Sequence, residues 1–486
     1  MQALINRGAI GEHRLVRFFV VGIAATVAIL SARSYASSWN DGSRLATVEC
    51  LVDHHTLAID ESIFVNPPRL NGAPPPYVSD EPFLLVNGTA DKLFIKGHYY
   101  SDKSPVPGLM MAAVYQVYEW CTGWTARAHA DSFCYWMTLT SSGLAYVVAV
   151  WCMVAICEAL GLSLARTLAV TASFGLATVA LAYVRQVNNH ILLLASFSAL
   201  LLALIREASQ SGPAGWKTAL WIGTLAGLSY TIDLGAGPVI LLCTGVLAIY
   251  RFRRFAPVAG VVAGAVPWLA LHHVVNYAVG GTWKPANAVA DYFNWPGCPF
   301  NHQNMTGSWN HNGMRDFALY ALSMLIGKRG FLDHNLALFM ALPAVLMLLR
   351  CRLKEKPELI YAACCAGGTW LLYALTSNNH SGLCCSIRWF VPLLAPGYFA
   401  LALLLRESTR AIGPFIVLSA WGAVEGALMW SKGPWLSHLL PYYWELHGAA
   451  FLSLGAYWAG RWEAGKPLQQ SDACSSISCT TERHAA

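Results

Sequence analysis

The chain has 486 residues with 32 Lys+Arg against 26 Asp+Glu, a formal net charge of +6, and only 12% of positions are charged, where soluble domains carry about 25%. Hydrophobic residues make up 56% and mean hydropathy is +0.45, which excludes a disordered chain and an ordinary soluble enzyme and leaves a multi-span membrane protein. The small, dispersed positive balance gives no reason to expect nucleic acid and reads as loop charge that sets orientation.

The first apolar run, Phe18 to about Ala36, approaches the roughly 20 residues that a span needs. It comes after Arg7, Arg14 and Arg17, which places the amino end in the cytoplasm. The same segment also fits a cleaved signal peptide, with Ser34-Tyr35-Ala36 as the small-residue site. Either way, the residues beyond Ala36 are delivered outside. Later apolar segments fall near 133–157, 164–184, 189–205, 218–232, 236–250, 256–277, 334–349, 359–376, 389–405, 411–430 and 446–460.

The expected fold is therefore an all-α polytopic membrane protein of about twelve transmembrane helices. Inner connections would hold Arg166, Arg206, Lys217, Arg251, Arg253, Arg254, Arg350, Arg352, Lys354, Lys356, Arg406 and Arg410. Short outer ones would hold Arg185, Arg388 and Lys432, so the basic residues divide 12 to 3 in favour of this topology. The chain divides into an amino end and first span (1–36), a first outer loop (37–132), spans two to seven (133–277), a second outer loop (278–333), spans eight to twelve (334–460) and a tail (461–486). That tail, rich in Ser, Thr and Gln, reads as cytoplasmic and disordered.

Both outer loops are too long to be turns. Val106–Trp120 in the first and Met314–Ile326 in the second are apolar on one side, and each reads as an interfacial helix. Fourteen cysteines include the adjacent pairs Cys364-Cys365 and Cys384-Cys385 and no Cys-x-x-Cys, so most read as small buried hydrophobes, without a disulfide framework or zinc site. Asn87-Gly-Thr89, Asn304-Met-Thr306 and Asn379-His-Ser381 match the glycosylation pattern, which is short and carries no weight in most bacteria.

Eleven of the 26 acidic residues lie in the first outer loop, Asp80, Glu81, Asp91 and Asp102 among them, while the spans hold few ionisable groups beyond Glu425 and Asp233. A coupled transporter concentrates carboxylates or broken helices near the midplane. Here the chemistry gathers at the outer surface. Asp41, in Trp39-Asn40-Asp41-Gly42-Ser43-Arg44, comes directly after the first span and is placed to act as a base. Its competing role is an N-cap for a helix from Ser43 to Val52. Lys96-Gly97-His98-Tyr99-Tyr100-Ser101-Asp102-Lys103-Ser104-Pro105 combines aromatics, a carboxylate and a cation just before a helix start, a natural seat for phosphate. An interfacial anchor is the competing role there.

These two stretches together resemble the membrane glycosyltransferases of the GT-C superfamily, in particular its mannosyltransferase-like and aminoarabinose-transferase-like branches. The resemblance is specific over about residues 37–120. It implies a sugar donor carried on a polyprenyl phosphate, a glycan, lipid or protein acceptor, and a site under the first loop that faces outward from a bacterial cytoplasmic membrane. By the resemblance Asp41 matches the first-loop catalytic carboxylate, and Lys103 with Pro105 matches the Lys/His-Pro-Pro element near the donor phosphate. Ser104 departs from that element, standing where its first proline is common.

Transfer from a lipid phosphate needs a base and fixed positive charge or a metal at the leaving group. Asp41 and Asp102 are the catalytic candidates. Lys103, His98, Tyr99, Tyr100, His190, Lys328, Arg329, Arg388 and Glu425 are candidates for holding substrate. Arg388 competes with a snorkelling role, and His190 with a satisfied structural histidine. The second loop also carries His302 and His311. A divalent metal would suit the chemistry, but no ligand spacing assigns one. A lipid-linked glycan polymerase or ligase is the enzymatic alternative, and a flippase or transporter of lipid-linked sugars is the non-enzymatic one.

Overall fold

The structure, a computed structural model, describes residues 2–67, 88–210, 215–301, 305–435 and 440–463, with side chains from 15 to 461. Asp80, Glu81, Asn87, His302, Asn304, the tail beyond 463 and the side chains of Arg7 and Arg14 lie outside the described residues.

In chain order the elements begin with α1 (Gln2–Ser31), α2 (Trp39–Asp53), β1 (Lys92–Ile95), β2 (His98–Ser101) and α3 (Pro105–Thr122). Then come α4 (Ala130–Ala159), α5 (Leu164–Leu176), α6 (Asn189–Ala208), α7 (Trp216–Ile232), α8 (Ala236–Phe252), α9 (Phe255–Gly280) and α10 (Met314–Ser323). The last are α11 (Leu336–Leu348), α12 (Lys356–Thr376), α13 (Arg388–Glu407), α14 (Thr409–Lys432) and α15 (Tyr443–Glu463).

Six of the described helices, α4, α6, α9, α12, α13 and α14, are long and apolar enough to cross a membrane. Four further apolar stretches, Leu15–Ser31 of α1 with α5, α8 and α11, are shorter. Helices also occupy the remaining two expected positions, α7 and α15, so each expected apolar segment holds a helix, but among the described residues only six helices are both long and apolar enough for a span. α4 carries a π-helical turn at Leu139–Gly143, inside the span expected at 133–157.

Packing among the spans relies on small residues where backbones meet. At Gly223 of α7 and Gly264 of α9, an added Cβ would collide with the facing helix's main chain at Val261 and Leu220. α13 is the most enclosed of the long apolar helices, whereas α9 leaves Val262, Val266 and Val274 exposed, as a lipid-facing helix does.

The first long loop expected from the sequence, residues 37–132, has a core of its own. Leu45 and Val48 of α2 bury against Ile59, Phe64, Tyr115 and Phe133, and the Tyr115 and Phe133 rings meet edge to face at 4.6 Å. Between α2 and α3 lies an element absent from the all-α expectation. β1 and β2 pair antiparallel, Lys92 opposite Ser101 and Ile95 opposite His98. The two-residue turn Lys96-Gly97 has φ of 51° and 91°, the positive values that a tight hairpin requires. Leu93 and Ile95 then bury against Ala286 of the second outer loop, and Trp295 donates its Nε1–H to the Lys92 carbonyl at 3.1 Å. The two long loops are thereby joined.

Candidate active site

The site grows from the start of α2. Ser38 is the N-cap and Asp41 the third helical residue, in a reciprocal capping box. Asp41 Oδ1 accepts from the Ser38 N–H (2.7 Å) and hydroxyl (2.5 Å), and Oδ2 accepts from the Ser37 N–H (2.8 Å) and hydroxyl (3.3 Å). Burial raises the Asp41 pKa and these bonds oppose the rise. The carboxylate expected as the base thus has both oxygens engaged in starting a helix, which runs from Trp39 rather than Ser43.

One turn on, Ser43 and Arg44 reach the chemistry. Ser43 Oγ lies 2.5 Å from the Asp91 carbonyl, 2.7 Å from Ser101 Oγ and 3.4 Å from Asp102 Oδ1. Asp91 stands at the entrance to β1 and Asp102 at the exit of β2, so hairpin pairing brings the two acids together. Lys103 Nζ sits between them, 2.6 Å from Asp91 Oδ2 and 2.8 Å from Asp102 Oδ2. All three side chains are 14% exposed or less.

Around this trio are two guanidinium groups. Arg44 donates to the Asn40 carbonyl (2.6 Å) and, through its other terminal nitrogen, to Asn189 Oδ1 at the start of α6 (2.7 Å). Arg388, at the start of α13, is fixed by its backbone N–H to Ser381 Oγ (3.0 Å) and lies over the Trp435 ring at 5.4 Å. Its Nε is buried with no hydrogen-bond partner among the described residues. Ser381 and His380 on this approach have φ of 62° and 50°, values that non-glycine residues adopt at a cost of order 1 kcal/mol or more.

These charges act on one another unequally. Burial would raise Asp91, but Lys103, Arg388 and Arg44 hold its pKa below the ordinary value. Burial raises Asp102, with the neighbouring Asp91 adding to the rise and Lys103 opposing it. Burial also brings Arg44 down to about 10, so it stays cationic at neutral pH. Two adjacent acids pushed in opposite directions are the usual sign of divided acid and base roles. Beside them opens a cleft of about 480 Å³, including its solvent-open mouth, lined by Tyr100, Ser101 and Lys103 on the loop side and by Leu234, His272 and Asn276 on the span side.

No protein-family model matches the chain, and no curated protein matches it. Among solved structures it is similar to ArnT from Cupriavidus metallidurans bound to undecaprenyl phosphate, with 13% identity and a TM-score of 0.46 over 89% of this chain and 75% of that one. The apo form of the same protein gives 14% and 0.48 over the same shares. The apo oligosaccharyltransferase of Archaeoglobus fulgidus gives 11% and 0.45 over 89% of this chain and 56% of that one.

Of the residues singled out from sequence, Asp102, Lys103, Tyr100 and Arg388 come together here, and His190 stands just behind, its Nδ1 3.3 Å from Asp233. Tyr99 instead supports Lys92, whose ammonium lies 4.4 Å from its ring centre. His98 is exposed, 3.2 Å from Asp60. Lys328, Arg329 and Glu425 fall outside the Lys103 group. Glu425 lies 3.6 Å from His447, which also faces Asp333, Lys328 rests over Trp444 at 5.8 Å, and Arg329 acts on His380.

Among the described residues no three His, Cys, Asp or Glu side chains gather as a metal site. Sequence reasoning missed Arg44 and Asp91 as site residues. Arg44 carries a signal in its spacing, three positions after Asp41 and hence beside it on a helix face. Asp91 carries one in the short apolar run Leu93-Phe94-Ile95 just after it.

Proposed function

We propose that this chain is a membrane glycosyltransferase that moves a sugar from a polyprenyl-phosphate carrier to an acceptor on the outer face of a bacterial cytoplasmic membrane. The observation that carries the reading is the buried group of Lys103 between Asp91 and Asp102, with Arg44 and Arg388 beside it, at one end of the spans and open to a cleft. Such a group supplies what the reaction needs, a base for the acceptor hydroxyl and fixed positive charge for the departing phosphate.

In this reading the acceptor oxygen attacks the anomeric carbon as the bond from that carbon to the phosphate oxygen breaks. The proton passes to a carboxylate, and the polyprenyl phosphate leaves with its charge offset by Arg388 and Lys103. We assign the base to Asp102, whose raised pKa suits proton uptake and which adjoins the cleft-lining Lys103. Asp41 remains the second candidate, since burial raises its pKa as well and its charge reaches Arg44. Topology supports an outward site. α6 and α13 begin at this group and end at Arg206 and Arg406, the arrangement expected when basic residues stay inside.

The test is purified protein reconstituted with radiolabelled polyprenyl-phosphate sugars, comparing wild type with Asp102→Asn and Asp41→Asn. Covalent transfer lost with Asp102→Asn supports the assignment. Movement of labelled lipid across the bilayer without transfer would instead favour a flippase.

A further inference from the structure

Asp233 takes no part in the proposed reaction, yet like Asp41 it is a buried carboxylate near the site that accepts four hydrogen bonds. It stands at the corner between α7 and α8. Its Oδ1 accepts from the backbone N–H groups of Gly235 and Ala236, both at 2.9 Å, and from the Tyr373 hydroxyl at 2.9 Å. Its Oδ2 accepts from Asn189 Nδ2 at 3.0 Å. A residue that only turned the corner would need the two backbone bonds and nothing more. The other two reach out to α6 and α12.

One arm ends at Arg44 and the other at the residue beside Arg388. Asn189 turns its amide nitrogen to Asp233 and its oxygen to Arg44, which in turn holds Asn40. Tyr373, fixed by its hydroxyl, stacks parallel on Trp389 at 4.3 Å and 5°, and Trp389 is the residue next to Arg388. Arg44 and Arg388 are close enough for each charge to act on Asp91.

We infer that Asp233 is a positioning residue that sets Arg44 and Arg388 at one separation, so that the pair presents fixed positive charge to a single phosphate. This rests on the phosphate reading of the site given above. The amide of Asn189 makes the coupling directional, because an asparagine donates from one end and accepts at the other, so the polarity of the chain runs one way from Asp233 to Arg44.

That directionality supplies the test. Asp233→Asn keeps the size and an oxygen for the corner N–H groups but turns a donor toward the Asn189 amide, severing the Arg44 arm. Tyr373→Phe severs the other arm alone. Detergent-purified full-length variants are titrated with undecaprenyl phosphate, with melting temperature recorded in parallel. Each single change is expected to weaken binding about tenfold, the effect of roughly one lost charged hydrogen bond, with melting close to wild type. The double change Asn189→Asp with Asp233→Asn reverses the polarity of that contact while leaving Arg44 an acceptor, and is expected to restore binding. Asp233→Asn that binds as tightly as wild type overturns the inference. So does weakened binding that tracks lower melting and is not recovered by the double change. Wild-type protein that fails to bind the probe at all brings down the phosphate reading itself and this inference with it.

Discussion

Arg44 and Asn189 are 145 positions apart, and they meet at 2.7 Å. That contact ties the first outer loop to the membrane-embedded spans at the level of the charged group. A guanidinium forms this bridge because it donates in two directions at once, to Asn40 on its own helix and to Asn189 across the gap. A lysine carries all its donors on a single nitrogen and lacks the two separate terminal nitrogens that reach diverging partners in such a fork. Arg44→Lys is therefore expected to lower transfer by about 10- to 100-fold, equivalent to one or two charged hydrogen bonds, while the protein still elutes as a folded species.

Asp41 and Asp102 separate by kinetics. Asp102→Asn removes the assigned base and is expected to lower kcat by about 10² or more, with the donor KM little changed. Asp41→Asn keeps a side chain that can still satisfy part of the cap and is expected to act mainly on stability, by about 1 kcal/mol, as does Ser38→Ala. A kcat collapse confined to Asp41→Asn would reverse the two roles. Because burial raises the Asp102 pKa, the acid limb of the wild-type kcat profile should fall above the ordinary aspartate range, and Asp102→Asn should abolish that limb.

Arg388 leaves its buried Nε without a partner among the described residues, which suits a ligand anion. Arg388→Gln keeps much of the volume and removes the charge. The expected result is a rise in the donor KM of about tenfold or more, measured with the same polyprenyl-phosphate sugar used for wild type.

Glu49 gives the first loop a pH dependence of its own. It is a buried residue of α2, where it accepts from Ser62 Oγ at 2.6 Å and the Ile63 N–H at 3.1 Å, and burial lifts its pKa to about 7 from an ordinary 4.5. A carboxyl that binds its proton more tightly when folded stabilises most below pH 4.5, and that contribution declines as pH rises from 4.5 to 7. The whole window amounts to on the order of 3 kcal/mol. Wild-type melting should fall between about pH 5 and pH 8, and Glu49→Gln should flatten the profile. An equal slope in both proteins would show that another group controls it.

Much of the architecture is legible in the sequence because long apolar runs bounded by arginines leave few alternatives. α4, α6, α9, α12, α13 and α14 all fall where such runs do. The hairpin is less legible. Its strands are only four residues each, and the Lys-Leu-Phe-Ile run shows too little alternation for a periodic signal. Within the site, Lys103, Asp102 and Arg388 stand out by residue type, whereas Asp91 becomes a partner of Lys103 only once strand pairing has closed the hairpin. Asp41 stands out in the sequence by its position after the first span, whereas the donors that fasten it, Ser37 and Ser38, are seen only in the folded chain.

An ammonium carries three hydrogens. In Lys103 two of them point at Asp91 and Asp102, and the side chain borders the cleft. Among the described residues the third has no charged partner. Lys103 can therefore grip a visiting oxyanion through a single hydrogen, and because no described residue lining the cleft is an arginine, a second charged oxygen must reach past that lining to meet another cation.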